Sequence, residues 1–258
     1  MKVFLTSNLN HYEKIDGVKV AKEIDNKNSL VDQLKSMLDD TRGILYVPSD
    51  ATNKDKIEEY SKILFDALRL SGIVFDNYYV VDDNSSVEEV RDKVLESDLV
   101  FLSGGDTLMQ MQYFEEIKLR DILSNYEGVI VGQSAGAINL AEDVYNSPES
   151  EEDLKRSSYF KGLGKTNINI EPHFVLDTSN FDSDEMLHRN AMLEESKNRD
   201  LYAIPDVSHI FDNGVEQKVY GECYLLRDGE IMKICVRVVN TLRYSKNRAI
   251  LIRSGFIL

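Results

Sequence analysis

Several things are scarce in this sequence, and each scarcity narrows what the protein can be. There are only two cysteines, Cys223 and Cys235, without C-x-x-C spacing. They make neither a disulfide framework nor a zinc ligand set, and read as reduced thiols of a cytoplasmic protein. No window approaches the roughly 20 apolar residues that a membrane-spanning helix needs. The opening "MKVFLTSNLNHYEK" has too short an apolar stretch for a signal peptide and reads as a first strand. Basic residues are outnumbered, 30 against 45 acids, giving a net charge of -15. That balance disfavours nucleic acid and anionic membrane as partners. Histidine is rare too: His11, His173, His188 and His209 are the four candidates for a general base. There is no internal repeat, low-complexity segment or convincing linker.

What remains is ordinary for a globular chain: 258 residues, 42% hydrophobic and 29% charged, enough to bury a core as a single domain over 1–258. Short apolar runs at 2–7, 43–49, 78–83, 98–105 and 128–134 read as buried strands. Helical spacing separates them at 28–42, 54–72 and 85–97. The alternation predicts an α/β fold, a mostly parallel sheet flanked by helices on both faces. Further on, 166–174 reads as a strand and 182–200 as a helix with Lys197 and Arg199 in its last turn. A C-terminal β-hairpin is expected over 218–239, turning at Asp228-Gly229. The segment 241–258 is a basic extension with Arg243, Lys246, Arg248 and Arg253 and no acid, read as a final strand or docking arm.

Gly132-Gln133-Ser134-Ala135-Gly136 fits G-x-S-x-G, and its context gives the pattern weight. An apolar strand precedes it and a helix follows, so the serine stands on a sharp turn at the carboxyl edge of the sheet. The alternative is a hydroxyl that merely caps the helix. As a nucleophile Ser134 needs a base. His173, closing "NINIEPHF", stands at an apparent strand end facing the same edge. His11 lies in a polar early loop, His188 on the surface of a helix, and His209 in a following strand as the rival base. Asp206 ends "LYAIPD" in an equivalent strand-end position and is the candidate to orient the imidazole, with Glu171 the substitute. "SGGDT" (103–107) turns at Gly104-Gly105, with Thr107 and Gln110 resembling a capping box. A glycine N–H there is placed to serve as an oxyanion donor beside that of Ala135. Asp177, Asp182, Asp184 and Glu185 lack metal-binding spacing, so neither metal nor other cofactor is expected.

"SGGDT", "GQSAGAI" and "EPHF", in that order, resemble the peptidase E family of aspartyl dipeptidases, which are similar in turn to cyanophycinases. The resemblance runs from the first strand through "IPDVS". It implies a class I glutamine-amidotransferase-like, flavodoxin-like three-layer sandwich and a serine peptidase acting through an acyl-enzyme. Carried over, it makes Ser134 the nucleophile, His173 the base, Asp206 the third member, and Gly105 and Ala135 the oxyanion donors. Characterised members usually carry Glu where Asp206 stands, and "GGN" where this chain has "GGD". The implied substrate is a short peptide, with an N-terminal aspartate in the characterised enzymes. Such an acid requires a local cation, for which Arg189 and the lysines of 161–165 are the candidates. A cyanophycinase-like hydrolase of aspartyl polymers and a non-catalytic binding module keeping the turn are the rival readings, and homodimerisation is left open.

Overall fold

The computed structural model describes residues 1–38, 40–156, 158–236, 240–245 and 248–252. The elements run β1 (Lys2–Thr6), β2 (Tyr12–Ile15), β3 (Val18–Ala21), α1 (Leu30–Met37), β4 (Gly43–Val47), α2 (Lys54–Leu70), β5 (Asn77–Val80) and α3 (Val87–Leu95). They continue β6 (Leu99–Leu102), α4 (Thr107–Glu116), α5 (Leu119–Ile122), β7 (Val129–Gln133), α6 (Ala135–Ile138), β8 (Asp143–Tyr145) and β9 (Tyr159–Lys161). The rest is β10 (Asn169–Glu171), α7 (Ser183–Glu195), β11 (Leu201–Ala203), β12 (His209–Asp212), β13 (Gln217–Tyr220), β14 (Glu222–Arg227), β15 (Glu230–Val236), β16 (Asn240–Ser245) and β17 (Arg248–Ile252).

Among the described residues, nine strands form one sheet in the order β17-β16-β13-β12-β1-β7-β6-β4-β5. The five strands from β1 to β5 in that order pair in parallel, and β12, β13, β16 and β17 extend them antiparallel. The parallel strands read as unbroken apolar runs because both faces are covered. Their side chains alternate between two cores: Val3, Leu45, Val47, Val100, Leu102 and Ile130 enter one. Phe4, Ile44, Tyr46, Leu99, Phe101 and Val131 enter the other. Helices α1 and α2 cover the second core through Leu34, Leu64 and Leu68. Helices α3 and α4 cover the first through Val90, Val94 and Phe114. The fold is therefore the expected three-layer α/β sandwich.

A second sheet, β10-β11-β14-β15, joins a parallel pair to the C-terminal hairpin. The hairpin turns at Asp228 and Gly229, both with positive φ (54° and 82°), the geometry a tight two-residue turn demands. It starts later than the 218–239 reading. Residues 217–220 form β13 of the large sheet, and the chain crosses to the second sheet at Gly221. Apolar alternation continues through this crossing, so the pattern alone does not mark it. Helix α7 also ends before 200; Lys197 and Arg199 lie past its end, where they pair with Glu194 and Glu195. The backbone of the basic segment supplies β16 and β17. Residues 246–247 and 253–258 and the side chains of the four cations lie outside the described residues, as does that of Cys235.

Gly221 adopts φ +92°, and a Cβ there would lie 2.4 Å from Asn28 Nδ2 and 2.6 Å from Ser208 Oγ. Gly221→Ala is expected to cost about 1–3 kcal/mol through backbone strain and overpacking. The check is a lower denaturation midpoint at unchanged slope.

Candidate active site

Two parallel strand pairs end at the same place. In the large sheet, Thr6 of β1 is in register with Gln133 of β7, so Ser7 and Ser134 are the first residues beyond the paired ends. In the second sheet, Glu171 of β10 is in register with Ala203 of β11. His173 and Asp206 follow within three residues. Side chains just past the carboxyl ends of parallel strands face the ligand-binding edge of such sheets.

Ser134 has φ 50° and ψ -114°, a conformation that costs an L-residue about 1–3 kcal/mol. The short helix α6 begins directly after it. The turn closes because glycines flank it: a Cβ on Gly136 would stand 2.3 Å from Leu102 O, and one on Gly132 2.7 Å from Ala137 N. Although Ser134 occupies the cap position, its hydroxyl makes no capping bond. It meets His173 Nε2 at 3.0 Å instead. His173 Nδ1 lies 2.8 Å from Asp206 Oδ1. A carboxylate only accepts, so the neutral imidazole carries its proton on Nδ1, which leaves the Nε2 lone pair facing the serine hydroxyl. The hydrogen bond from His173 is the largest influence on the Asp206 carboxyl; with help from Ser7 it outweighs burial and holds the group below its ordinary range. Both side chains of this hydrogen-bonded pair are 50% exposed.

Ser7 is the member that sequence reasoning missed. It is fully buried, donates to Asp206 Oδ1 at 2.8 Å, and accepts the His173 backbone N–H at 2.8 Å. One hydroxyl thus fixes both the carboxylate and the loop bearing the imidazole. The available signal was positional, since Ser7 ends an apolar strand just as Ser134 does.

Gly104 and Gly105 lie on the loop after β6, beside the serine. A Cβ on Gly104 would lie 3.9 Å from Ser134 Oγ. Gly105 has φ +148° and no room for a side chain, since a Cβ would fall 2.0 Å from Ser49 Oγ. Ala135 is the first residue of α6, where backbone N–H groups lack helical acceptors. The capping box differs from expectation. Asp106 is the cap of α4, accepting from Met109 N at 2.8 Å and pairing with Arg156 at 2.7 Å. Gln110 donates instead to Ser103 O.

The other histidines lie apart from this relay. His209 is wholly buried in the core, stacked on Tyr220, and burial pushes its pKa down to about 3. His11 is not in an open polar loop but 5% exposed. His188 is mostly buried rather than on the helix surface, 2.8 Å from Ser147 Oγ, which donates to Glu171 at 2.8 Å. Glu171 therefore serves His188 and not His173. Arg189 is buried against Phe174 and donates to Val175 O; Lys161 pairs with Asp143. Among the described residues no cluster suited to a metal occurs.

Ser7→Ala leaves the His173 amide unpaired and is expected to destabilise the protein by about 1–3 kcal/mol, read by chemical denaturation. Burial works against charge on His188, but its hydrogen bond to Glu171 and that carboxylate's charge prevail and raise its pKa above 6.5. A raised folded pKa contributes stability that is fully present below the unfolded value and fades as pH rises through the folded one. Melting curves of wild type and His188→Gln should therefore differ most below pH 6.5 and converge above it.

No helix among the described residues is long and apolar enough to cross a membrane. Comparison with curated proteins gave no match. Among solved structures, a peptidase from an acI-B1 Actinobacterium is similar with TM-score 0.65 at 16% identity, covering 97% of this chain and 96% of that one. A putative peptidase E protein from Listeria monocytogenes EGD-e is similar with TM-score 0.57 at 16% identity, covering 84% and 96%. Identity at that level shows a shared fold. The model of Peptidase family S51 matches residues 19–219, most of the chain and a span that includes Ser134, His173 and Asp206, and the chain belongs to that peptidase family.

Proposed function

We propose that this member of a hydrolytic peptidase family is a serine peptidase acting on short peptides through an acyl-enzyme. The observation that carries the reading is the run of contacts from Ser134 Oγ to His173 Nε2 at 3.0 Å and from His173 Nδ1 to Asp206 at 2.8 Å, built on a strained serine. A fold that kept the turn as architecture alone would have no need to hold that serine strained and uncapped. Ser134 and His173 line a cavity of about 470 Å³, a size suited to a small ligand.

In the proposed reaction Ser134 Oγ attacks the scissile carbonyl while its proton passes to His173 Nε2. Asp206 holds the Nδ1 tautomer and stabilises the imidazolium. The new O–C bond leaves a tetrahedral oxyanion, for which the N–H groups of Gly105 and Ala135 are the donors. Collapse breaks the C–N bond, and the leaving amine takes the proton from Nε2. Water then repeats the sequence, its proton going to His173 and its hydroxyl to the acyl carbon, and the proton returns to Ser134. Ser7 positions the base and carboxylate without touching substrate. The excess of acids and the scarcity of cysteine fit a cytoplasmic setting with small peptides, not nucleic acid or membrane, as partners. Of the cations expected to receive an N-terminal aspartate, Arg189 and Lys161 are engaged elsewhere.

Treatment with a fluorophosphonate should modify Ser134 in the folded protein, and Ser134→Ala should abolish labelling. Peptide hydrolysis should fall by about a thousandfold or more in Ser134→Ala and His173→Gln. An unlabelled, folded wild-type protein would reject the hydrolase reading in favour of a binding module.

A further inference from the structure

Gly105 and Ala135 come from different parts of the fold, one from the loop after β6 and the other from the first turn of α6. An oxyanion site needs their N–H groups at one fixed spacing, so something must tie the loop to the helix. Part of the tie is backbone. Gly136 N donates to Ser103 O at 3.1 Å and Ser134 N to Thr6 O at 2.9 Å, which fixes the residue on either side of Ala135. Two side chains supply the rest. Gln110 of α4 donates through Nε2 to Ser103 O at 2.7 Å. Asn139, the residue that closes α6, donates through Nδ2 to Thr107 O at 2.9 Å. Gly105 therefore lies midway between two anchored carbonyls.

The two amides also hold each other, Asn139 Nδ2 donating to Gln110 Oε1 at 3.0 Å, and both residues are 0% exposed. Their backbones attach to the same two pieces of chain: Asn139 N donates to Ala135 O at 2.9 Å and Gln110 N to Asp106 O at 3.0 Å. One closed unit thus runs from Ala135 through Asn139 and Gln110 to the loop on both sides of Gly105. A space-filling role explains it poorly. The neighbouring Met111 and Leu140 enter an apolar core, and Asn139 Oδ1 is buried with no partner among the described residues. Apolar side chains of similar size would pack there without stranding an oxygen. What the amides add is direction. A Gly-Gly loop is free to take many shapes and keeps one only if its ends are held. With the carbonyls of Ser103, Asp106 and Thr107 bound, only the two peptide planes that meet at Gly105 are left to the glycines.

Building on the hydrolase reading, we infer that Gln110 and Asn139 are positioning residues of the reaction at Ser134. They set the spacing between the N–H groups of Gly105 and Ala135 for the oxyanion, and neither side chain lines the cavity where substrate binds.

The test is labelling of Ser134 by a fluorophosphonate, resolved into the affinity of the first complex and the rate of the covalent step. In that step Ser134 Oγ bonds to phosphorus, fluoride leaves, the serine proton goes to His173, and charge builds on the phosphoryl oxygen that the two N–H groups receive. Gln110→Met and Asn139→Leu should each slow the covalent step by about 10- to 100-fold, with the first complex unchanged within about twofold. The double variant should be no slower than the slower single one, because the two amides act as a unit. The pH dependence of labelling should keep its shape, since Ser7 and not the amides holds the relay. Additive losses, a changed pH profile, a loss confined to the first complex, or variants that lose stability while each folded molecule reacts at the wild-type rate would each overturn the inference. If an apolar variant fails to fold, Gln110→Asn and Asn139→Ser stay polar but are too short to span both partners, and the same outcomes apply. A folded wild-type protein that is not labelled rejects the hydrolase reading, whereas a labelled wild type with equally fast variants rejects this inference alone.

Discussion

Two separate sheets have to meet at one spacing for Ser134 to touch His173, and the joint between them is the hydroxyl of Ser7. It accepts the backbone N–H of His173 and donates to Asp206, so it grips both loops of the second sheet from the end of β1. Further hydrogen bonds reinforce the joint, with Val207 N donating to Asn8 O at 2.9 Å and the Asn28 side-chain Nδ2 to Val207 O at 3.0 Å. Because Ser7 and Ser134 follow strands in direct register, whatever fixes Ser7 also fixes the distance from the serine to the imidazole. A single neutral hydrogen bond contributes only about 0.5–1.5 kcal/mol to stability. The importance of this one lies in geometry, since it ties two loops to one rigid strand.

The price of that arrangement appears in the backbone. Ser134, His173 and Val207 all have positive φ, at 50°, 57° and 68°. For a β-branched residue such as Val207 this is a marked departure from preference. Each such residue costs about 1–3 kcal/mol and persists only where its surroundings over-determine it. Here the surroundings are the strand ends themselves: Ser134 N is bonded to Thr6 O, Phe174 N to Ile204 O, and Val207 N to Asn8 O. Three of the eight described non-glycine residues with positive φ therefore stand where the two sheets face each other.

The parts of the molecule dictated by local chemistry were legible in the sequence. Continuous apolar runs announced the buried parallel strands, helical spacing announced α2 and α3, and Asp228-Gly229 announced its turn. Ser134, His173 and Asp206 could each be named as strand-end residues facing one edge, and their contacts span only 39 and 33 residues. Ser7 escaped because its partners lie 166 and 199 residues further on, although its place at the end of an apolar strand was visible. His188 was misread because its helix is amphipathic by pattern, whereas the partners that bury it, Ser147 and Glu171, come from a distant loop and from strand β10. The division of residues 218–236 between two sheets turns on one glycine inside an otherwise unbroken alternation. Asp106 displaced Thr107 as cap of α4 because its carboxylate reaches both an amide and Arg156.

The topology also sets an order in time. Strand β1 holds Ser7 near the start of the chain, yet its partner Asp206 lies 199 residues later, and β12, which pairs with β1 on the far side from β7, begins at His209. On a growing chain the parallel strands β1, β4, β5, β6 and β7 and their helices can collapse as soon as residue 133 is available. At that stage Ser134 stands on its turn with neither imidazole nor carboxylate to serve it. The joint closes only after four-fifths of the polypeptide has been made, so a truncated or half-finished molecule has the scaffold but no assembled relay.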